Sequence, residues 1–287
     1  MANIRLLANL NCDHVLALDE PLIAGSRLQY RDQGRRLGGG GANTGTGLLW
    51  AGHRVRILSR VGNDETGSWL LQAATQLGLD ISEVEQFVGE TGELLVLVDG
   101  AGERTILRQH RVPALPSKLP RSSVDCLYVN YEGLEAAAYM AQMLSQTLVV
   151  SQYPKGGRWP RPCQVMIASA ADLAVGLNTN SDGHAGNHWL HAKQLAGESL
   201  QWLVVTNGEQ GAEAFSANQH IQVPAPVVSV VDATGAGDAF AGGLIHALLA
   251  ELPMGSALAQ ASQWAAYTLS SCSSIPSERL KQYLHSG

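Results

Sequence analysis

The chain has 287 residues, 45% hydrophobic and 15% charged, enough to bury a large core as one elaborated globular domain spanning 1–287. Its net charge is -6, and without a long block of Lys or Arg it lacks the footprint of a nucleic-acid binder. No apolar segment approaches the roughly 20 residues of a spanning helix, so no membrane partner is expected. Four cysteines, Cys12, Cys126, Cys163 and Cys272, lie far apart with no C-x-x-C. That argues against a disulfide framework or zinc knuckle and fits a reducing, cytoplasmic setting.

In chain order, "IRLLANL" reads as a first buried strand. "NLNCDH" follows it, so Asn11 and Asp13 could project from the strand's carboxyl end, where α/β sheets hold ligands. Asp13 alone could equally be a turn residue. Residues 13–36 are polar and carry no convincing helix. In "LGGGGANTGTGLLWAG", 37–52, a backbone that can lie flat on a ligand around Gly39 precedes Asn43, whose amide offers both donor and acceptor to hydroxyls. The same tract also suits a loop with a helix N-cap at Asn43.

"RVRILSRVG" predicts a strand and 66–78 a helix. Two β-rich runs around "DGAGE" predict a hairpin, which with 13–36 makes a small β lid formed by about 13–36 and 87–112. Strands in "DCLYVNYE", "TLVVSQY", "VMIAS", "LVVTNG" and "VVSVVDA" alternate with helices at 133–147, 235–250 and 256–270. Such alternation predicts an α/β fold, a mostly parallel doubly wound sheet with helices on both faces. The Gly- and Asn-biased tract 176–187 reads as a loop, and His184, His188 and His191 near it read as solvated histidines more readily than as a zinc site.

The most informative stretch is "VVDATGAGDAFAGG", 230–243. A strand ending near Val231 and a helix starting near Gly235 would aim the free N–H groups of Gly235, Ala236 and Gly237 at one point, where the helix dipole also favours an anion. Asp238 would sit in the first turn beside it. A carboxylate there can take a hydroxyl proton while the amides stabilise a transferring phosphoryl group. A glycine entry with an acidic first turn is the bland alternative. Neither G-x-x-x-x-G-K-[ST] nor G-x-G-x-x-G occurs, which removes the P-loop and dinucleotide-binding readings.

Across almost its full length the chain resembles the ribokinase-like (PfkB) carbohydrate kinases, on "GGGGANTGTGLLWAGHRVRILSRVGNDETG" and "VVDATGAGDAFAGG" in that order. The resemblance implies a ribokinase-like fold with a β lid, ATP as donor, Mg²⁺, an activating ion such as K⁺, and a sugar hydroxyl as acceptor. Position by position it implies Asp238 as catalytic base and Gly235, Ala236 and Gly237 as anion hole. Asn11, Asp13, Gly39, Asn43 and Glu132 would be sugar ligands, and Thr206, Gly208 and Gly211 would line the ATP site. Asp232 and Thr234 would hold the monovalent cation. Gly62, Asp64 and Gly67 match the first signature as a structural turn. Where many members carry N-x-x-E, this chain has Ser169 and Asp172, leaving Asp172 as the metal carboxylate. "GERTIL" resembles ketohexokinase-like and fructokinase-like members and points to a ketohexose such as fructose. Ribose, a deoxy sugar acid, a nucleoside or a vitamin precursor are the other acceptors, and a catalytically weak ligand-binding relative is the non-enzyme reading. The lid also suggests a homodimer.

Overall fold

The computed structural model describes residues 1–100, 103–109, 115–176, 185–271 and 273–286. Cys272, His184, residues 177–184 of the Gly- and Asn-biased tract, and lid positions 101, 102 and 110–112 lie outside the described residues.

The chain opens with β1 (Asn3–Leu7), β2 (Asn11–Leu18), β3 (Tyr30–Gly38), α1 (Gly39–Trp50), β4 (Arg54–Gly62), α2 (Glu65–Gln76) and β5 (Asp80–Phe87). It continues through β6 (Glu93–Val98), β7 (Arg104–Arg108), β8 (Cys126–Val129), α3 (Leu134–Met143), β9 (Leu148–Gln152), β10 (Val165–Ser169), α4 (Ala170–Gly176) and α5 (Ala185–Ala196). It ends with β11 (Trp202–Thr206), β12 (Ala212–Phe215), β13 (His220–Val223), α6 (Ala236–Leu249), α7 (Met254–Leu269) and α8 (Glu278–His285).

Nine strands form the main sheet in the order β13-β12-β11-β10-β9-β8-β1-β4-β5, parallel from β11 to β5 with the β12 and β13 pairings antiparallel. Alternation along β1 explains the two layers. Ile4 and Leu6 face a core shared with α1, α6 and α7, while Leu7 enters the opposite core with Tyr139 and Met140 of α3. On α6, a Cβ at Gly243 would lie 2.9 Å from Ala261 and from the Trp264 ring, so the small residues after Asp238 let this helix press on α7.

A separate four-stranded sheet, β3-β2-β6-β7, joins the polar segment to the hairpin, Leu94 opposite Arg108 through Val98 opposite Arg104. The predicted lid is thus one sheet, its two pieces joined by the parallel β2–β6 pairing.

One predicted strand is absent: "VVSVV" is irregular, with Val227, Val230 and Val231 exposed. β13 ends at Val223 and is followed by Pro224 and Pro226, which cannot donate to a ladder. Only the end of the segment is tied down, by Val231 N–H donating to the Leu269 carbonyl at 2.8 Å.

Candidate active site

From β1 the chain winds to β4 and β5 on one side, and from β8 to β11 on the other. The crevice at the carboxyl ends where that direction reverses is where an open parallel sheet receives a ligand. Asn9 and Asn11 lie just past β1 and Asn130 just past β8, and all three line a cavity of about 250 Å³ there. Its wall also includes Asp13, Gly39, Gly40, Asn43, Thr234, Gly235 and Asp238, so residues far apart in sequence meet in one place.

Asp238 stands in the first turn of α6, as expected. The helix begins at Ala236 behind Gly235, which has φ 80, and has no side-chain cap. A side chain at Gly235 would collide with the Ser274 carbonyl as well as strain the backbone, so glycine is required. A Cβ on Gly237 would meet nothing within 4 Å, and the Ala236 N–H reaches the Ala233 carbonyl only at 3.4 Å. Weakly engaged amides with open space beside them suit an incoming anion.

Asn43 is not an N-cap: α1 starts at Gly39, and Asn43 lies inside it, 3% exposed. The helix starts early because Gly39 adopts φ 87 against the Asn9 carbonyl, where a Cβ would come within 2.5 Å. Asn43 Nδ2 donates to Asp238 Oδ2 at 2.8 Å, and Thr44 Oγ1 donates to the Asp238 carbonyl at 3.1 Å. The other carboxylate oxygen, Oδ1, would lie 3.4 Å from a Cβ placed on Gly40, which itself would be 2.8 Å from Asn130 Nδ2. The missing side chain at Gly40 therefore leaves room between a donor and the carboxylate. Burial pushes the Asp238 pKa up, and the Asn43 hydrogen bond pulls it partly back.

Asp13 also faces the cavity, its carboxyl pushed up to about 6, mainly by burial. Arg108, Arg104 and Arg36 counter that shift through space and Asp238 adds to it. Asp13 Oδ1 and Asn43 Oδ1 are buried with no hydrogen-bond partner. Two orphaned acceptors on one cavity wall call for a ligand with several O–H donors.

Thr234 lines the cavity, but Asp232 is tucked behind it, accepting the Thr234 N–H at 2.9 Å. Arg104 arrives from β7: its Nη1 donates to Thr234 Oγ1 at 2.7 Å, and Nη2 lies 2.5 Å from Asp232 Oδ2, an ion pair off hydrogen-bond alignment. A guanidinium holds the carboxylate assigned to a monovalent cation. The K⁺ expectation does not fit this carboxylate.

Glu132 lies outside the cavity wall, exposed, with Oε1 accepting the Lys155 N–H at 2.7 Å. Asn130, two residues earlier, is the polar residue of "YVNYE" that reaches the cavity. Thr206 ends β11, Gly208 opens a short 3-10 turn, and Gly211 precedes β12 with φ 96, all three at the same carboxyl edge as Asn9 and Asn130 but outside the cavity wall. Asp172 is near that edge, in a reciprocal cap: its N–H donates to Ser169 Oγ at 3.0 Å and Ser169 Oγ donates to Asp172 Oδ2 at 2.7 Å.

Asp64 caps α2, accepting from the Gly67 N–H at 2.8 Å and from the Thr91 hydroxyl at 2.7 Å, a structural role. His191 hydrogen bonds Tyr153 at 2.8 Å, and among the described residues no group of three or more His, Cys, Asp or Glu could hold a metal ion. Sequence reasoning missed Asn9, Gly40, Arg36, Arg104 and Arg108. Arg104 and Arg108 had a signal: in "RTILR" the period of two puts them and Ile106 on one strand face.

The model of the pfkB family carbohydrate kinases matches residues 3–111 and 158–279. The chain belongs to the pfkB family of carbohydrate kinases. A ribokinase of Haemophilus influenzae is 24% identical over 270 residues, covering 86% of each chain. An aminoimidazole riboside kinase of Salmonella typhimurium is 27% identical over 246 residues, 75% of this chain and 77% of that one. The fold matches a ribokinase from Thermotoga maritima with TM-score 0.81, 18% identity and complete coverage of both chains. It also matches a ribokinase from Cryptococcus neoformans in complex with ADP, with TM-score 0.77, 19% identity, and 99% and 100% coverage.

This pfkB member is an ATP-dependent kinase with a sugar or nucleoside acceptor. Ketohexose specificity finds no support in these relatives, and "GERTIL" has another use here, since its Arg104 pairs with Asp232 and Thr234 ahead of α6. No helix among the described residues is long and apolar enough to cross a membrane.

Proposed function

We propose that the cavity holds a pentose-type polyol and that Asp238 removes the proton from the hydroxyl to be phosphorylated. The observation that carries this reading is the pair of partnerless buried acceptors, Asp13 Oδ1 and Asn43 Oδ1, beside a carboxylate and uncapped helix amides. An O–H donor satisfies each acceptor, removing a desolvation penalty of about 1–3 kcal/mol per group.

Asn43 fixes Asp238 through Oδ2, leaving Oδ1 toward the gap at Gly40 for the acceptor hydroxyl. As that oxygen bonds to the γ-phosphorus of ATP, the bond from phosphorus to the β–γ bridging oxygen breaks, ADP leaves, and the proton passes to Asp238. The Gly235, Ala236 and Gly237 amides stabilise the charge on the phosphoryl oxygens. Thr206, Gly208 and Gly211 would flank the nucleotide along the same sheet edge. Asp172 is exposed at that edge, and one carboxylate beside substrate phosphates suits Mg²⁺, which would neutralise phosphate charge when bound. The small sheet, tied to the anion-hole loop through Arg104, would exclude water that otherwise competes for the phosphoryl group.

The test is acceptor-dependent ADP release over ribose, fructose and ribosides, with intact protein and the Asp238→Asn variant. The variant should lose roughly 10² to 10⁴ in kcat while acceptor affinity changes little. Near-normal turnover in the variant refutes the role of Asp238.

A further inference from the structure

A second cavity, about 460 Å³, opens beside the acceptor cavity and shares Asn9, Asn11, Leu94 and Arg108 with it. It shares none of the reacting-end groups, Asp238, Asn43 and Gly235, so it extends the site from the far end of the acceptor. The cavity around Asp238 is below the roughly 300–1,000 Å³ of sites for drug-sized ligands, while the two together fall inside that range. A free pentose would leave the larger chamber to water.

The chemistry of the second chamber narrows its occupant. Its charged walls are neutralised in place: Arg60 lies 2.9 Å from Glu85 and 4.4 Å above the Phe87 ring, and Glu93 accepts the Thr66 hydroxyl at 2.8 Å and pairs with Arg35 at 3.3 Å. Arg108 is shared with the first cavity and acts through space on Asp13, and Glu90 and Glu93 place two carboxylates on this wall, so an anion gains little there, and a phosphate is far smaller than the space. What remains is an aromatic and apolar lining with amide groups at its rim, Phe87, Tyr131 and Leu10 against Asn9 and Gln109. Such walls bury the faces of a flat ring and hydrogen bond its edges.

We propose that the acceptor is a riboside, its sugar in the cavity at Asp238 and its heterocyclic base in the second chamber. This rests on the assignment of the first cavity to the sugar, and the experiment separates the two.

Calorimetric titration without ATP compares ribose, ribose 1-phosphate, adenosine, inosine and cytidine, followed by ADP release with each. At least one nucleoside should bind about tenfold or more tightly than ribose, a gap of about 1.4 kcal/mol. Gln109→Trp, an exposed lid position lining only the second chamber, should close that gap by filling the space, with ribose affinity and thermal stability unchanged. Tighter binding of ribose or ribose 1-phosphate than of every nucleoside overturns the inference, as does an equal loss of ribose and nucleoside affinity in Gln109→Trp. Tight nucleoside binding with no ADP release from any acceptor would instead sink the kinase mechanism and leave the riboside site standing.

Discussion

Arg5, fully buried, and Asp13, half-buried on a cavity wall, are ionisable residues on successive strands, and the protein treats them in opposite ways. Arg5 is fully buried with its guanidinium answered: Glu83 accepts at 2.6 and 2.8 Å, and the Ser122 carbonyl and hydroxyl each accept at 3.0 Å. Asp13 keeps a buried oxygen with no partner, and its nearby arginines act through space. Taking a charge out of water costs several kcal/mol, so a fold that stops short of compensating one has left that compensation to a ligand. The completed pair ties β1 to β5, whereas the incomplete group lines the cavity we propose for the acceptor.

Breaking the completed pair gives the largest effect on stability. Glu83→Gln leaves a buried guanidinium without its counter-charge and should cost about 3–5 kcal/mol in denaturant unfolding. Turnover per folded molecule should persist, because Glu83 lies on neither cavity wall. Loss of catalysis at full stability would erase the contrast.

Asp13→Asn sharpens it from the other side. The folded carboxyl titrates near 6 against an ordinary 3.8, so between those values the folded state binds more protons, and this group's contribution to stability falls as pH rises through the interval. At pH 7 the ligand-free variant should melt a few degrees higher than the parent, with a flatter stability profile between pH 4 and 6. Its acceptor affinity should fall by about tenfold, as expected for a lost charged hydrogen bond. A variant melting lower at pH 7 would contradict the assignment of Asp13 as an unanswered charge.

Arg104 stands between the two cases, a lid cation that completes Asp232. Arg104→Ala should lower turnover by about tenfold and leave Asp232 open to a monovalent cation. K⁺ should therefore stimulate the variant more than the parent in assays comparing K⁺ with a bulky organic cation. Equal stimulation of both would show that the guanidinium does not take the cation's place.

The contrast also explains what could be read from sequence. Strands such as "VMIAS" announce themselves by continuous apolar burial, and the helix after Gly235 by its glycine entry, because both follow from local chemistry. "VVSVV" has the composition of a strand, but the prolines before it and its lack of a covering layer leave it irregular. Asn43 looked like a helix N-cap because glycines precede it, and only the positive φ of Gly39 and the Gly41 N–H donating to the Asn9 carbonyl at 3.0 Å show why the helix begins earlier. The meeting of Asp238 and Asn43 at one cavity was foreshadowed by the two motifs that carry them, and that of Asn11 and Asp13 by their place after the first strand. Arg104 and Arg108 showed only as one face of "RTILR" and Arg36 not at all, because all three reach the cavity through the pairing of β2 with β3 and β6, and of β6 with β7. Glu132 was misplaced by two residues, Asn130 being the position that β8 turns toward the pocket.

The most direct measurement is a crystal structure of the protein with a bound acceptor and a non-hydrolysable ATP analogue. The account predicts an acceptor hydroxyl 2.6–3.2 Å from the Asp238 carboxylate, in line with a terminal phosphate on the Gly235, Ala236 and Gly237 amides, with Asp13 Oδ1 and Asn43 Oδ1 accepting from other hydroxyls. An acceptor seated with those two oxygens still unpartnered, or with Asp238 remote from any hydroxyl, would contradict it.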